Sequence, residues 1–189
     1  MKSDGRAFDD ALWQRLRAHQ IGPADASLTF AARLARENRW SLAHAERVIL
    51  EYMRFCYLAR TAGHPVTPSD AVDQAWHLHL TYSRDYWEVF CPLVLGADLH
   101  HGPTAGGEAQ RALYYGQYAA TLKAYESAFG VSPPVQIWPD ARRRFAVDPK
   151  AVRVNPADAL IVSRMRVYIA ALLGAALAFA AGWLVRGIV

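Results

Sequence analysis

The stretch "TPSDAVDQAWHLHLTYSRDYWEVFC", residues 67–91, decides the fold class. Its apolar residues recur at the spacing of a helix, without the strict alternation of a half-buried strand. Thr67 is predicted to be the N-cap, with Pro68 at the first helical position and Asp70 where a capping box places its acid. The proline that follows this stretch disfavours helical backbone in the residue before it. The sequence therefore predicts one long helix that ends near Phe90.

Helical spacing continues on both sides of this stretch. Two earlier helices are predicted in "FDDALWQRLRAHQ" and "LTFAARLARENR", a third begins after the cap residue Ser41, and a fifth ends at Gly130. Hydrophobic residues make up 53% of the chain and charged residues 20%, which excludes a disordered chain. Residues 1–141 are thus predicted to form an all-α soluble bundle of about five helices.

The positive charge of the chain is concentrated in a short segment. The net charge is +4, yet residues 1–141 carry thirteen cations against fifteen anions. Residues 142–166 carry seven cations against two anions. No pattern of basic residues interleaved with aromatic residues is present, so nucleic acid is not an expected partner. We interpret 142–166 as a basic juxtamembrane linker.

The segment after this linker, "VYIAALLGAALAFAAGWLV", residues 167–185, contains no charged residue. Nineteen helical residues span about 28 Å, close to one hydrocarbon core. This predicts a transmembrane helix that acts as a single-pass C-terminal membrane anchor. The excess of arginine and lysine before it places the N-terminal domain in the cytoplasm, and the linker against anionic membrane lipid. The low cysteine count of two fits a reducing compartment.

One face of the predicted transmembrane helix carries small residues. They recur every four positions, as Ala170, Gly174, Ala178 and Gly182. Small residues at this spacing let two membrane helices approach closely, which predicts self-association. The alternative is that an alanine-rich helix gives this pattern by chance, and the sequence leaves both possibilities open.

Residues 75–104 hold four of the seven histidines, and the candidate site combines this segment with the helix residues just before it. Asp73 and His77 lie four positions apart and are therefore neighbours on a helix. His77 and His79 point about 160° apart on a helix, so this pair does not chelate one metal. A metal at Asp73 and His77 needs further ligands, and the adjacent His100 and His101 in the turn-rich loop that follows are both obvious suppliers.

The loop and the helix end offer two further ligands, His100 and Cys91. Two histidines and one carboxylate, with an open coordination position, form a suitable set for zinc or iron(II). The structural alternative is that the histidines make ordinary hydrogen bonds and that Trp76 belongs to the core. Another alternative is a cysteine-based enzyme that uses Cys91 as its nucleophile.

The motifs "VTPSDAVDQAWHLHL", "YWEVFC", "LHHGPT", "YAATLKAYESAFG" and "IWP", within residues 40–139, resemble the glycine-rich domain-containing protein-like family. This resemblance implies a helical domain whose biochemical activity is not established. Members in plants are linked to stress responses and development and carry glycine-rich tails, which this chain lacks. The family motif corresponds here to Asp73, Trp76, His77, His79, Cys91, His101 and Pro103.

Three functions are consistent with the sequence. The first is a membrane-anchored, cytoplasm-facing helical domain that serves as a binding or scaffold module for an unknown protein partner. The second is a metal-dependent enzyme that uses zinc or iron, held by Asp73, His77 and His101. The third is a cysteine-based enzyme that uses Cys91.

Overall fold

The computed structural model describes residues 10–23, 25–102, 104–147 and 162–186. The chain divides into two compact units, Met1–Asp148 and Pro149–Val189. The described helices of the first unit are α1 (Ala11–Ala18), α2 (Phe30–Asn38), α3 (Leu42–Thr61), α4 (Asp70–Thr81), the π-helix π1 (Asp85–Leu95), α5 (Glu108–Phe129) and the short π-helix π2 (Arg143–Val147). The second unit contains α6 (Arg164–Arg186). The described residues contain no strand, which confirms the all-α prediction.

Helix α3 is the centre of the first unit. It packs against α1, α2, α4, α5 and π1. Its inward face buries Tyr52, Phe55 and Cys56 almost completely. Trp13 of α1 and Phe129 of α5 lie with their ring centroids 5.4 Å apart in an edge-to-face arrangement. Aromatic burial around one central helix supplies most of the apolar area that stabilises this unit.

The predicted caps of α3 and α5 are confirmed. The Ser41 hydroxyl accepts a hydrogen bond from the backbone N–H of His44 at 3.2 Å. Gly130 follows α5 in the left-handed region, with φ of 69°, and its N–H donates to the carbonyl of Glu126. Serine and glycine are the residue types that favour the start and the end of a helix, respectively.

The predicted N-cap of the fourth helix is wrong. The cap is Ser69, whose hydroxyl accepts from the N–H of Val72 at 3.2 Å. Thr67 is held elsewhere, because its N–H donates to Thr121 Oγ1 at 3.0 Å and its hydroxyl donates to Gln117 Oε1 at 3.2 Å. The helix accordingly begins at Asp70, three residues later than the predicted cap.

The prediction of one continuous helix to Phe90 is also wrong. Helix α4 ends at Thr81, and Tyr82 breaks the helical backbone with φ of −86° and ψ of 53°. The chain then enters π1, which includes Phe90 and continues through Pro92 to Leu95. The N–H of Gly96 donates to the carbonyl of Cys91, five residues back, which is the bonding pattern of a π-helix.

The predicted transmembrane anchor is wrong for the chain that the structure describes. Among the described residues, none of the helices combines the length and the apolar character that a bilayer crossing requires.

The predictions that depended on the anchor change with it. The predicted single-pass membrane localisation, with the N-terminal domain in the cytoplasm, is wrong for the same reason. Ala170, Gly174, Ala178 and Gly182 all lie on α6. The predicted linker, 142–166, begins within the first unit, because π2 occupies its first residues.

Candidate metal centre

Three of the predicted site residues lie together. His77 Nε2 is 2.9 Å from His101 Nε2, and His101 Nε2 is 2.9 Å from Asp73 Oδ1. His77 Nε2 is 3.7 Å from Asp73 Oδ2. The candidate ligand atoms all lie within 4.8 Å of one another. We call Asp73, His77 and His101 the outer site.

Helix α4 provides two members of the outer site. Asp73 and His77 are four residues apart, so their side chains lie one above the other on the same face. Asp73 is in the first turn of the helix, where the unpaired backbone N–H groups stabilise a negative charge. The carboxylate is therefore held at a fixed place on the helix surface.

The loop after π1 is tied down so that it brings in the third member. The hydroxyl of Tyr86, a buried residue of π1, donates to the carbonyl of Leu99 and accepts from Trp76 Nε1. These bonds join α4, π1 and the loop just before His101. The loop is also fixed where the N–H groups of Gly96 and Ala97 both donate to the carbonyl of Cys91.

Trp76 fixes the orientation of His101. Their ring centroids lie 4.5 Å apart, with the ring planes at 68°. Trp76 is itself buried and packs on Phe55 of α3, with centroids 5.2 Å apart. The core of the unit thus supports the imidazole of His101 from one side, while Asp73 and His77 face it from the other.

Without a cation, His101 Nε2 cannot donate a separate proton to each of its two neighbours in this cluster. His101 Nε2 faces both His77 Nε2 and Asp73 Oδ1 at 2.9 Å, and a neutral imidazole nitrogen carries at most one proton. Two ligand atoms bound to one metal at about 2.0–2.1 Å are about 2.9 Å apart at a right angle. Both short distances of the outer site fit this spacing, whereas the third, from His77 Nε2 to Asp73 Oδ2, is longer at 3.7 Å.

The outer site is open on one side. His77 has 52% of its side chain exposed, whereas Asp73 and His101 are about one-fifth exposed. Solvent and small molecules therefore reach the point where the three ligand atoms converge. This combination of a supported ligand set and an exposed face is what a catalytic metal site requires.

The remaining predicted ligands are not part of the outer site. His100 is exposed and its ring lies against Trp87, with centroids 5.3 Å apart. His79 points to the opposite side of α4, as the helical wheel predicted, and is completely buried. Pro103 lies outside the described residues.

Cys91 is completely buried, and burial raises the pKa of its thiol. The sulfur lies beside the hydroxyl of Tyr86 and the backbone of Leu99. A buried thiol with a raised pKa is a weak nucleophile. These observations argue against the cysteine-based enzyme.

A second cluster was missed in the sequence. His19 follows α1, His79 is near the end of α4, and Asp85 opens π1. Asp85 Oδ2 is 2.7 Å from His79 Nε2 and 3.1 Å from His19 Nε2. We call these three residues the inner site. Burial lowers the pKa of His79 to about 4 despite the opposing effect of Asp85, so its imidazole is neutral at pH 7.

Comparison of the chain with family models, curated proteins and solved structures found no match. The resemblance to the glycine-rich domain-containing protein-like family stays a prediction.

Proposed function

We propose that this chain is a metal-dependent helical protein that binds one divalent transition metal ion, zinc or iron(II), at the outer site. The observation that carries the proposal is the convergence of His77 Nε2, His101 Nε2 and the Asp73 carboxylate at 2.9–3.7 Å on an exposed face. Two imidazoles and one carboxylate are a well-known ligand set for both metals.

The support behind the ligands favours metal binding over an ordinary hydrogen-bonded cluster. Trp76 holds the ring of His101, and the Tyr86 hydroxyl holds the backbone of the loop that carries it. Ligands whose positions are fixed by packing lose little entropy when a metal binds. One carboxylate also leaves a bound divalent ion with a net positive charge, which is the requirement for Lewis-acid chemistry.

The chemistry expected at such a site is the activation of water. A metal held by three protein ligands keeps positions for water and for a substrate oxygen, and it lowers the pKa of the bound water towards neutrality. The exposed side of His77 provides the approach for a substrate. Hydrolysis is the first reaction class to assay with the metal-loaded protein. The scaffold hypothesis has no comparable geometric support among the described residues.

The test is a zinc titration of the full chain, prepared without a histidine tag and stripped of metal. His77→Ala removes the most exposed ligand, so its replacement disturbs the fold least. His64→Ala is the matched control, because His64 is exposed and its Nδ1 lies 2.9 Å from the adjoining carbonyl of Pro65. Calorimetry is expected to show a zinc-binding event at the outer site that is lost in His77→Ala and kept in His64→Ala. Identical isotherms for the wild type and His77→Ala would contradict the proposal.

A further inference from the structure

We infer that the inner site, formed by His19, His79 and Asp85, is a second divalent metal site with a structural role. The three candidate ligand atoms lie within 4.8 Å of one another. The residues come from α1, α4 and π1, so one ion would join three elements. This site goes beyond the proposed function and does not depend on the outer site.

Tyr52 orients the most buried ligand of the inner site. Its hydroxyl lies 2.9 Å from His79 Nδ1, while His79 Nε2 faces Asp85. A histidine that ligates a metal through one nitrogen usually has the other held by a hydrogen-bond partner, which fixes the tautomer and the ring. Tyr52 is in that position, and it projects from the central helix α3.

Aromatic rings enclose the inner site on the core side. The ring of His79 lies 4.8 Å from Phe90, 4.9 Å from Tyr86 and 5.7 Å from Tyr52, measured between centroids. The ring of His19 lies 5.3 Å from Phe90. Such walls exclude water and strengthen the attraction between the ligands and a cation. Asp85 is one-fifth exposed, so its carboxylate is within reach of solvent.

The competing arrangement is a metal-free hydrogen-bonded lock. Both imidazoles would then donate their Nε2 protons to Asp85 Oδ2, and the Tyr52 hydroxyl would donate to His79 Nδ1. The metal-bound arrangement has the opposite tautomer of His79, with the Nδ1 proton donated to the oxygen of Tyr52. The two arrangements differ in whether zinc binds when the outer site is absent.

The experiment therefore uses the full chain with the outer site removed by His77→Ala. Zinc content after equilibrium dialysis is expected to be about one ion per chain. Adding His19→Ala is expected to abolish this zinc binding. Adding His44→Ala is expected to preserve the zinc binding, because His44 packs on Trp40 away from the cluster. Far-UV circular dichroism shows whether each variant is folded. Adding Tyr52→Phe, which keeps all three ligands, is expected to weaken zinc affinity about 10–100-fold.

Two results would overturn the inner site. One is the absence of bound zinc in folded His77→Ala. The other is retention of the same affinity after His19→Ala and Tyr52→Phe. His77→Ala removes the outer site alone. The zinc that this variant retains therefore reports the inner site, and the two sites are measured separately. A wild type that binds one ion, together with a His77→Ala variant that binds none, keeps the outer site and rejects the inner one.

Discussion

At the scale of single residues, buried hydroxyl and carboxyl groups link the core to the candidate sites. Tyr52 is completely buried, yet its hydroxyl contacts His79 at 2.9 Å. Glu51, the residue before it, is almost completely buried and accepts from Trp138 Nε1 at 2.9 Å and from Arg54 Nη1 at 2.9 Å. Adjacent residues of α3 thus support opposite parts of the same unit.

Tyr52→Phe is expected to lower the free energy of unfolding of the metal-free chain by about 1–3 kcal/mol, because it leaves His79 Nδ1 without its partner in a buried place. Urea unfolding monitored by circular dichroism measures this change. Tyr115→Phe is the control, since Tyr115 is exposed. Equal unfolding midpoints for both variants would show that the Tyr52 hydroxyl does not stabilise the fold.

Glu51 makes the stability of the fold depend on pH, and the direction of this dependence follows from its pKa. Burial raises the pKa of its carboxyl, and the neighbouring Arg54 offsets this only in part. An unfolded glutamate has a pKa of about 4.3. Between this value and the raised pKa, the folded chain holds a proton that the unfolded chain has released. The contribution of Glu51 to stability is therefore present below the unfolded pKa and is lost as pH rises through the raised pKa.

Chemical unfolding from pH 4 upwards, in the wild type and in Glu51→Gln, tests this sign. The difference in unfolding free energy between the two proteins is expected to change with pH, with the wild type losing stability relative to the variant as pH rises. A difference that is constant over this range would contradict the raised pKa of Glu51.

At the scale of elements, the boundaries of α4 control the candidate sites. The cap at Ser69 sets where the helix begins, and so which residues share a face with Asp73. The break at Tyr82 then redirects the chain into π1, which carries Tyr86 and Asp85. One side of α4 thereby contributes to the outer site and the other to the inner site.

Ser69→Ala is expected to destabilise the chain by about 1 kcal/mol, because the cap hydrogen bond to Val72 is lost in a buried position. Ser83→Ala is the matched control, since Ser83 is exposed. Thermal unfolding of the two variants measures the difference. If Thr67 were the cap, Ser69→Ala would have no more effect than Ser83→Ala.

The residues of the outer site can be predicted from the sequence, because two of them lie on one regular helix. Asp73 and His77 are one turn apart, and no tertiary contact is needed to place them side by side. His101 was selected because few other ligands follow in the loop. Whether these residues bind metal remains a prediction, since position alone does not test it.

The inner site was not predictable in the same way. His79 and Asp85 are six residues apart, a spacing that places them together only because the chain breaks at Tyr82. His19 is 66 residues from Asp85, so their contact depends on how α1 packs. Apolar periodicity does not distinguish one long helix from two helices joined by a break, and the same ambiguity produced the wrong end of α4.

At the scale of the whole molecule, the described core belongs to one unit. Every buried apolar residue lies between Trp13 and Ala141, and the partly buried Phe145 of π2 packs against this core. The transmembrane prediction failed at the same scale, because it relied on an uncharged run of sequence.

A chain that ends at Asp148 is therefore expected to fold and to unfold in one cooperative transition, because residues 1–148 contain the whole described core. Differential scanning calorimetry of this fragment measures the transition. A broad, non-cooperative transition would show that residues 149–189 are needed for folding.

The outer site is tested most directly by nuclear magnetic resonance of the histidine side-chain nitrogens in the full chain, before and after zinc is added. The Nε2 signals of His77 and His101 are expected to shift with the first equivalents of zinc, whereas those of His64 and His100 stay unchanged. Unchanged signals from His77 and His101 in folded, zinc-treated protein would contradict the outer metal site and leave these histidines with a hydrogen-bonding role.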